Sequence, residues 1–402
     1  MYYIYSKNTM TGYDPTEEDT TVDSFGYDVL HDPTDAPGIR QRLLISPVLK
    51  MAIGTQGSLT FGIYPDHPMY GKLHDRSTYI FVADDEGEIW RGRIISQAKG
   101  FDNIINVYAE GELAYFQDTF MRPFVFRGTR EDFLSMIIDN HNDQLTSSLN
   151  PYANTFRKFE LSYTDPDSDT DMVDIATSNA MSTWSLISEH IISKGFYPTL
   201  YTSGSDRIIN FSKEFSGSNQ IIEFASNLID LNYTKDATNV ITALIPYGPT
   251  LEPGDTGYEE QPTFNGTWNG NRMTVAVLQP DTPSGMVRSS EAVRLVYGDI
   301  VGTKIYEDNI TDSTDLYRAA VADLQKIESE AISITAKAVD LRGIDSNGKD
   351  RLVPGYEYTV TSPPQDIEAR LVCTSVEIHI TDQNNSIYNF GVGPKALTSL
   401  VK

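Results

Sequence analysis

The residues best suited to chemistry in this chain are its single cysteine, Cys373, and its six histidines, His31, His67, His74, His141, His190 and His379. A thiolate beside a histidine base is a nucleophile for acyl transfer. Cys373 and His379 are the couple nearest in sequence. Six residues apart in an apparent strand, they point to the same side but stand about 20 Å apart at ~3.3 Å per residue. Proton transfer needs about 3 Å, so no dyad forms within that strand. A zinc hydrolase needs a cluster such as His-Glu-x-x-His, and none is present. His67 and His74 make a weak pair across a Gly-Lys turn. His190 belongs on the flank of a helix around Trp184, and His141 with Asn142 is placed to cap a helix end.

DPDSDTD sets Asp165, Asp167, Asp169 and Asp171 at alternate positions, as calcium loops do. An EF-hand also needs Gly at its sixth and Glu at its twelfth position. Counting from Asp165 gives Thr170 and Ala176, and counting from Asp167 gives Met172 and Ser178. The EF-hand reading fails, and an acidic surface loop is expected. No Gly-x-x-x-x-Gly-Lys-Ser/Thr or Gly-x-Gly-x-x-Gly follows a strand, so no phosphate loop is expected. Asn265-Gly-Thr reads as a turn. The expectation is therefore no catalytic residue, no metal and no cofactor.

One cluster remains. In GEIWRGRIIS, Trp90, Arg91 and Arg93 surround Gly92. Trp90 and Ile94 fall on one strand face, Arg91 and Arg93 on the other, and Gly92 permits close backbone approach. The two arginines either pair with carboxylates of a neighbouring subunit, making Trp90, Arg91 and Arg93 a subunit interface, or form salt bridges within the chain. Both readings stand on the sequence.

The elements that must carry these residues are mostly strands. At 402 residues, two to four domains are expected. With 40% hydrophobic residues and 23 tyrosines, the chain is globular and favours β structure. Its 56 acidic and 31 basic residues give a formal charge of −25, the wrong sign for a phosphate-binding surface. It suits a surface that nucleic acid passes without sticking, and equally a protein kept soluble at high concentration. One cysteine allows no intrachain disulfide. No secretory signal and no apolar run of the ~20 residues a membrane span needs are visible, so a soluble chain assembled in the cytoplasm is expected.

Eight carboxylates between Asp14 and Asp35 mark a solvated first loop. From Gln41 to Glu110, short apolar segments separated by Gly, Pro and Asp predict antiparallel strands in a barrel or sandwich. In NIINVYAEG, Ile105, Val107 and Ala109 share a face. Thr129 is placed to cap a helix whose Phe133, Met136 and Ile137 face a core. A second helix starts near Ser182 or Thr183, lines up Trp184, Ile187 and Ile191, and ends at Gly195. Residues 250–312 are rich in Gly, Pro, Asn and Thr, with hairpin chemistry in FNGTWNGN. Ser313 opens a helix with Leu316, Ala320, Leu324 and Ile327 on one face. In RLVCTSVEIHI, Val372, Val376, Ile378 and Ile380 share a face with Thr374. Residues 78–111 and 356–393 follow one layout, an aromatic strand, a turn, an Arg-containing strand, a turn and a strand ending in Gly. This faint internal repeat suggests two related barrels.

Several segments, taken together, carry a resemblance. EIWRGRIIS with VYAEGELAYFQDTFMRP, DFLSMIIDNHNDQL with its His-Asn-x-Gln signature, STWSLISEHIISKGFYPTLY, SNLIDLNYTKDATNVITALIPYG with its Pro-x-Gly turn, AVDL and the closing FGVG stand in one order. Over roughly residues 40–393 this order resembles the phage tail-associated lysin, or prophage endopeptidase tail, family, which is similar to the baseplate hub of contractile tails. The resemblance implies an α+β, mainly β fold with two tail-tube-like β-barrels, a small α/β domain and an inserted β-rich module. The corresponding boundaries are 1–113, 114–211, 212–249 with 326–402, and 250–325. It also implies a homotrimer whose six barrels continue a hexameric tail tube at the tip of a virion. The partners would be distal tail or tail tube proteins, the tape measure protein, spike or fibre proteins below, and genomic DNA sliding through the lumen. Longer members carry fibre or peptidoglycan-cleaving modules, and stopping at Lys402 counts against lysin activity. The alternatives are a tail-associated peptidoglycan endopeptidase, which needs a catalytic site, and a receptor-binding module using residues 250–312 on glycans.

Overall fold

The computed structural model describes residues 1–9, 27–35, 42–146, 151–164, 172–203, 206–213, 215–235, 240–255, 258, 271–275, 285–307, 310–330, 332–341 and 351–391. The acidic residues from Asp14 to Asp23, the Asp165–Asp171 run, Asn265 and most of FNGTWNGN lie outside the described residues. The fold is α+β and mainly β, as expected. The chain forms two compact units, one from Met1–Asp230 with Ala336–Gly391 and one within Leu231–Thr335.

The first unit is built on one sheet. Its early strands are β1 (Tyr2–Asn8), β2 (Asp28–His31), β3 (Ile45–Ala52), β4 (Ser58–Ile63), β5 (Thr78–Asp84), β6 (Gly87–Lys99) and β7 (Ile105–Gly111). They pair in the order β2-β1-β5-β6-β7-β4-β3. In β1, Tyr2, Ile4, Ser6 and Asn8 are buried and the residues between them half-buried, the alternation expected where one face is more deeply covered.

An α/β segment follows. A 3₁₀ turn, Glu112–Gln117, buries Leu113, Tyr115 and Phe116. Then come β8 (Phe120–Met121), β9 (Val125–Thr129), α1 (Arg130–Gln144), α2 (Pro151–Thr155), β10 (Glu160–Thr164), β11 (Met172–Ala176), β12 (Met181–Ser182), α3 (Thr183–His190), β13 (Tyr197–Ser203) and β14 (Asp206–Ser212). Thr129 caps α1 by accepting the Asp132 N–H at 3.1 Å, with Glu131 and Asp132 at the positive end of the dipole. Ser182 caps α3 in the same way, through the Ser185 N–H. Gly195, at φ +84°, ends the 3₁₀ turn after α3 in the left-handed region. Phe133, Ile137, Leu186 and Ile187 from the helices share a core with Phe159, Phe211 and with Tyr79 and Phe81 of β5. Each fully buried side chain of this size contributes about 1.5–3 kcal/mol, so the segment is anchored on the early strands.

The chain then makes β15 (Ser216–Glu223) and β16 (Leu228–Lys235). In the second unit, β17 (Ala243–Tyr247) lies between β18 (Val287–Arg288) and β19 (Val301–Ile305). Helix α4 (Glu291–Tyr297) connects β18 to β19, and α5 (Ser313–Glu330) lays Leu316, Ala320 and Leu324 on a core with Leu244 and Val287.

The last strands are β20 (Ile332–Ala338), β21 (Tyr356–Ser362), β22 (Ile367–His379) and β23 (Ile387–Gly391). β21 pairs with the first half of β22, and β15 runs parallel to β21. Ser375–His379 of β22 pairs with Ala52–Val48 of β3. Beyond that junction the order is β22-β23-β20-β16, giving one sheet of thirteen strands. β6 and β22 are both 13 residues long and both carry a bulge, after Ile94 and after Cys373. The bulge reverses the buried phase of β22, from Ala369, Leu371 and Cys373 to Val376 and Ile378. Strict alternation put Val372 on the face of Val376; the extra residue at Thr374 moves it to the other.

Candidate functional site

Strand β6 positions the Trp90–Arg93 cluster. Trp90 is 6% exposed and its indole lies over three glycines. A Cβ on Gly92 would come 2.3 Å from the indole and 2.2 Å from the Glu110 carbonyl, and one on Gly111 would come 1.8 Å from the Gln56 carbonyl. A Cβ on Gly57 would come 2.9 Å from the Lys50 carbonyl and 3.1 Å from the indole nitrogen. Glycine is required there because the ring and two backbones occupy the space of a side chain.

The arginines occupy the other face and are paired within the chain. Arg91 bonds Glu88 at 2.5 Å and stands 3.8 Å from Glu112. Arg93, with a side chain 3% exposed, holds Glu110 at 2.8 Å and bonds both carboxylate oxygens of Asp118. Arg157 and Arg76 reach the same Asp118 at 3.3 and 3.1 Å. Arg207 forks onto Glu112 and touches Glu88 at 2.9 Å. The guanidinium groups of Arg91 and Arg93 also stack over Phe81 and Tyr115, at 4.9 and 5.0 Å. Burial pushes the Glu112 carboxyl up, and Arg207 and Arg91 pull it back without cancelling the rise. Burial also works to raise Asp118, but the Arg93 hydrogen bonds and the surrounding arginines outweigh it and hold it low. Five arginines meet four carboxylates, so each of these carboxylates has an opposite charge beside it, as a buried ionic cluster requires. Sequence reading found the arginines and missed Glu88, Glu110, Glu112, Asp118, Arg157 and Arg207. The one signal for them was the EGE run closing β7.

The His-Asn-x-Gln signature is a set of backbone clamps. His141 lies within α1, buried, instead of capping it. Its Nε2 donates to the Arg157 carbonyl at 2.8 Å, so its Nδ1 accepts the Thr119 hydroxyl at 2.7 Å. The Thr183 hydroxyl in turn sits 2.9 Å from that of Thr119. Asn142 bonds both the N–H and the carbonyl of Phe159, at 3.1 and 2.7 Å. Gln144 does the same for Phe120, also at 3.1 and 2.7 Å. Helix α1 is thereby tied to two neighbouring segments, Thr119–Phe120 and Arg157–Phe159. Burial holds His141 neutral, its pKa lowered to about 4.

The remaining candidates do not assemble into a reactive centre among the described residues. Cys373 is buried on β22, its Sγ 3.9 Å from the Ser375 carbonyl, and burial pushes the thiol well up. His379 lies on the same strand 3.3 Å from Glu377, which also bonds Lys50. His67 lies against β2, the strand that carries His31. Its Nε2 donates to the Leu30 carbonyl at 2.9 Å and its Nδ1 accepts the Met69 N–H. His31 accepts the Leu44 N–H at 3.3 Å. Burial lowers both histidines, His31 to about 4. No group of three or more His, Cys, Asp or Glu is placed to hold a metal among the described residues.

No family model matches the sequence, and no curated protein matches it significantly. Solved structures do match in fold. The prophage tail protein gp18 from Listeria monocytogenes EGD-e superposes with a TM-score of 0.59 at 12% identity, covering 99% of this chain and 97% of that one. The 43 kDa tail protein of prophage MuSo2 from Shewanella oneidensis gives 0.56 at 9% identity, covering 98% and 99%. A tail protein from Neisseria meningitidis MC58 gives 0.53 at 9%, covering 99% and 97%. From end to end, this chain has the fold of prophage tail proteins.

Proposed function

We propose that this protein is a structural component of a phage or phage-derived tail, a trimeric baseplate hub or tail tip. In this reading residues 1–113 and 212–249 with 326–402 are the two tube-like modules, 114–211 the small α/β domain and 250–325 the insertion. Three copies place six modules around an axis, and the ring extends or closes the tail tube. Tube proteins and the tape measure protein stand above, spike or fibre proteins below, and DNA slides through. The charge of −25 suits a lumen from which polyanions are repelled.

The observation that carries the reading is the doubled sheet. Two halves of like strand order, each with a 13-residue central strand, meet edge to edge at β3 and β22. A ring of such halves needs only the same junction repeated between chains. The end-to-end likeness to prophage tail proteins supports it. Trp90, Arg91 and Arg93 serve the ring as the brace that fixes β6 from behind. Light scattering tests the assembly, with a species near three times 44.9 kDa expected. Immunogold labelling of purified particles should place it at the tail tip. A monomer that degrades cell wall and is missing from particles overturns the proposal.

A further inference from the structure

Strand β2 ends the sheet among the described residues, and the ladder that holds it is short. Asp28, Val29, Leu30 and His31 are all buried, yet β2 pairs only with β1, at three positions with a slip between Ile4 and Tyr5. Two histidine rings supply further anchors. On the strand itself, His31 Nδ1 accepts the Leu44 N–H at 3.3 Å. Facing it, His67 Nε2 donates to the Leu30 carbonyl at 2.9 Å, and its Nδ1 accepts the Met69 N–H at 3.0 Å. Leu30, Leu44 and Met69 are buried as well.

Both rings receive a backbone N–H on a lone pair. A proton placed there turns the acceptor into a donor facing a donor, so only the neutral rings make these bonds. The surroundings keep them neutral. Burial is the largest influence on each and disfavours the charged ring. Asp32 and Asp35 around His31, and Asp66 and Asp35 around His67, favour a proton; His67 opposes one on His31, and Arg42 opposes one on His67.

Beyond His31 the chain is closed by different chemistry. The Arg42 side chain bonds Asp35 at 2.8 Å and Asp32 at 3.1 Å, the Arg42 N–H bonds Asp35 at 3.0 Å, and the Asp32 N–H bonds the Arg42 carbonyl at 2.8 Å. Hydrogen bonds from Arg42 hold the Asp35 carboxyl below its usual range, so this clasp stays ionised in mild acid. We propose that β2 is an acid-released strand, set free from β1 when its two histidine anchors take up protons, while the Arg42 clasp stays shut. A released His31 titrates near its ordinary value of 6.5 and a docked one at about 4. The open form therefore takes the proton first. Docking has its full strength above pH 6.5 and loses it as the pH falls toward 4. Between pH 7.5 and 5, His31 alone raises the open population about thirtyfold, and His67 adds to this in the same direction.

Hydrogen exchange of the full chain, read by mass spectrometry and corrected for intrinsic rates, tests the device. From pH 7.5 to 5, peptides covering Asp28–Asp32, Leu44 and Met69 should lose protection together, by about thirtyfold or more, and ahead of α1, which is seated in the aromatic core. His31→Asn keeps an acceptor for the Leu44 N–H and does not titrate, so it should remove about thirtyfold from the pH effect at β2 and leave that at α1 unchanged. Adding His67→Gln should abolish the effect at β2. Wild-type protection at β2 that is equal at the two pH values, or that is lost only together with α1, overturns the proposal. So does a pH effect at β2 that persists in a folded double variant. Where circular dichroism shows a variant unfolded, the wild-type profile alone decides.

Discussion

The Arg93–Asp118 pair decides whether the arginine cluster holds the monomer or only an interface. Arg93→Met leaves Glu110 and Asp118 without their closest cation. Removing one partner of a buried pair costs about 3–5 kcal/mol. Here the stranded Asp118 keeps Arg76 and Arg157, at 3.1 and 3.3 Å, and the Glu110 side chain is 15% exposed. Those compensations bring the expected loss to about 2–3 kcal/mol, a fall in melting temperature of roughly 5–10 °C for a unit this large. Asp118→Asn alone loses less, since it removes charge and leaves an acceptor. The double-mutant cycle should give a coupling of about 1.5 kcal/mol. The assay is thermal unfolding followed by tryptophan fluorescence, with Trp90 one turn of the pleat from the pair, on protein diluted to monomer. A coupling under ~0.5 kcal/mol, with Arg93→Met altering self-association instead, refutes the intrachain account.

Gly111→Ala should abolish soluble expression or cost more than about 3 kcal/mol, because its Cβ would stand 1.8 Å from the Gln56 carbonyl. Gly71→Ala, where φ is +74° and nothing lies within 4 Å, should cost only about 1 kcal/mol. Lowering the pH should weaken the fold between 6.5 and about 4: the unfolded chain takes up protons on His31 and His141 there, and burial keeps both neutral in the native state. Each contributes on the order of 3 kcal/mol, present above pH 6.5 and lost by about 4. His141→Gln should flatten part of that slope in pH-dependent urea denaturation. Asp118, held below its usual range by Arg93, adds its loss only at more acidic pH. Thr119→Val leaves His141 Nδ1 without its donor and should cost about 1–3 kcal/mol by urea denaturation. Cys373 should resist a thiol reagent in the native protein and react on unfolding.

Local signals were legible in the sequence because they depend on neighbours along the chain. Thr129 and Ser182 cap where their spacing to apolar residues says they should, and Gly195 turns where a left-handed residue is needed. The faces of α1 and α5 follow from their periodicity. What alternation could not reveal was the bulge at Thr374, because an unpaired residue exists only relative to a partner strand. The partners of Arg91 and Arg93 were hidden for a related reason. Glu88 and Glu110 are close in sequence, but Asp118, Arg157 and Arg207 arrive from the α/β segment, brought there by core packing. The His-Asn-x-Gln run marked a helix end, yet only the packed fold shows each side chain holding a separate backbone. The sequence determined the elements and their faces, which are short-range properties of the chain. Tertiary structure alone decided which edges meet, such as β3 along β22, because strand pairing joins residues hundreds of positions apart.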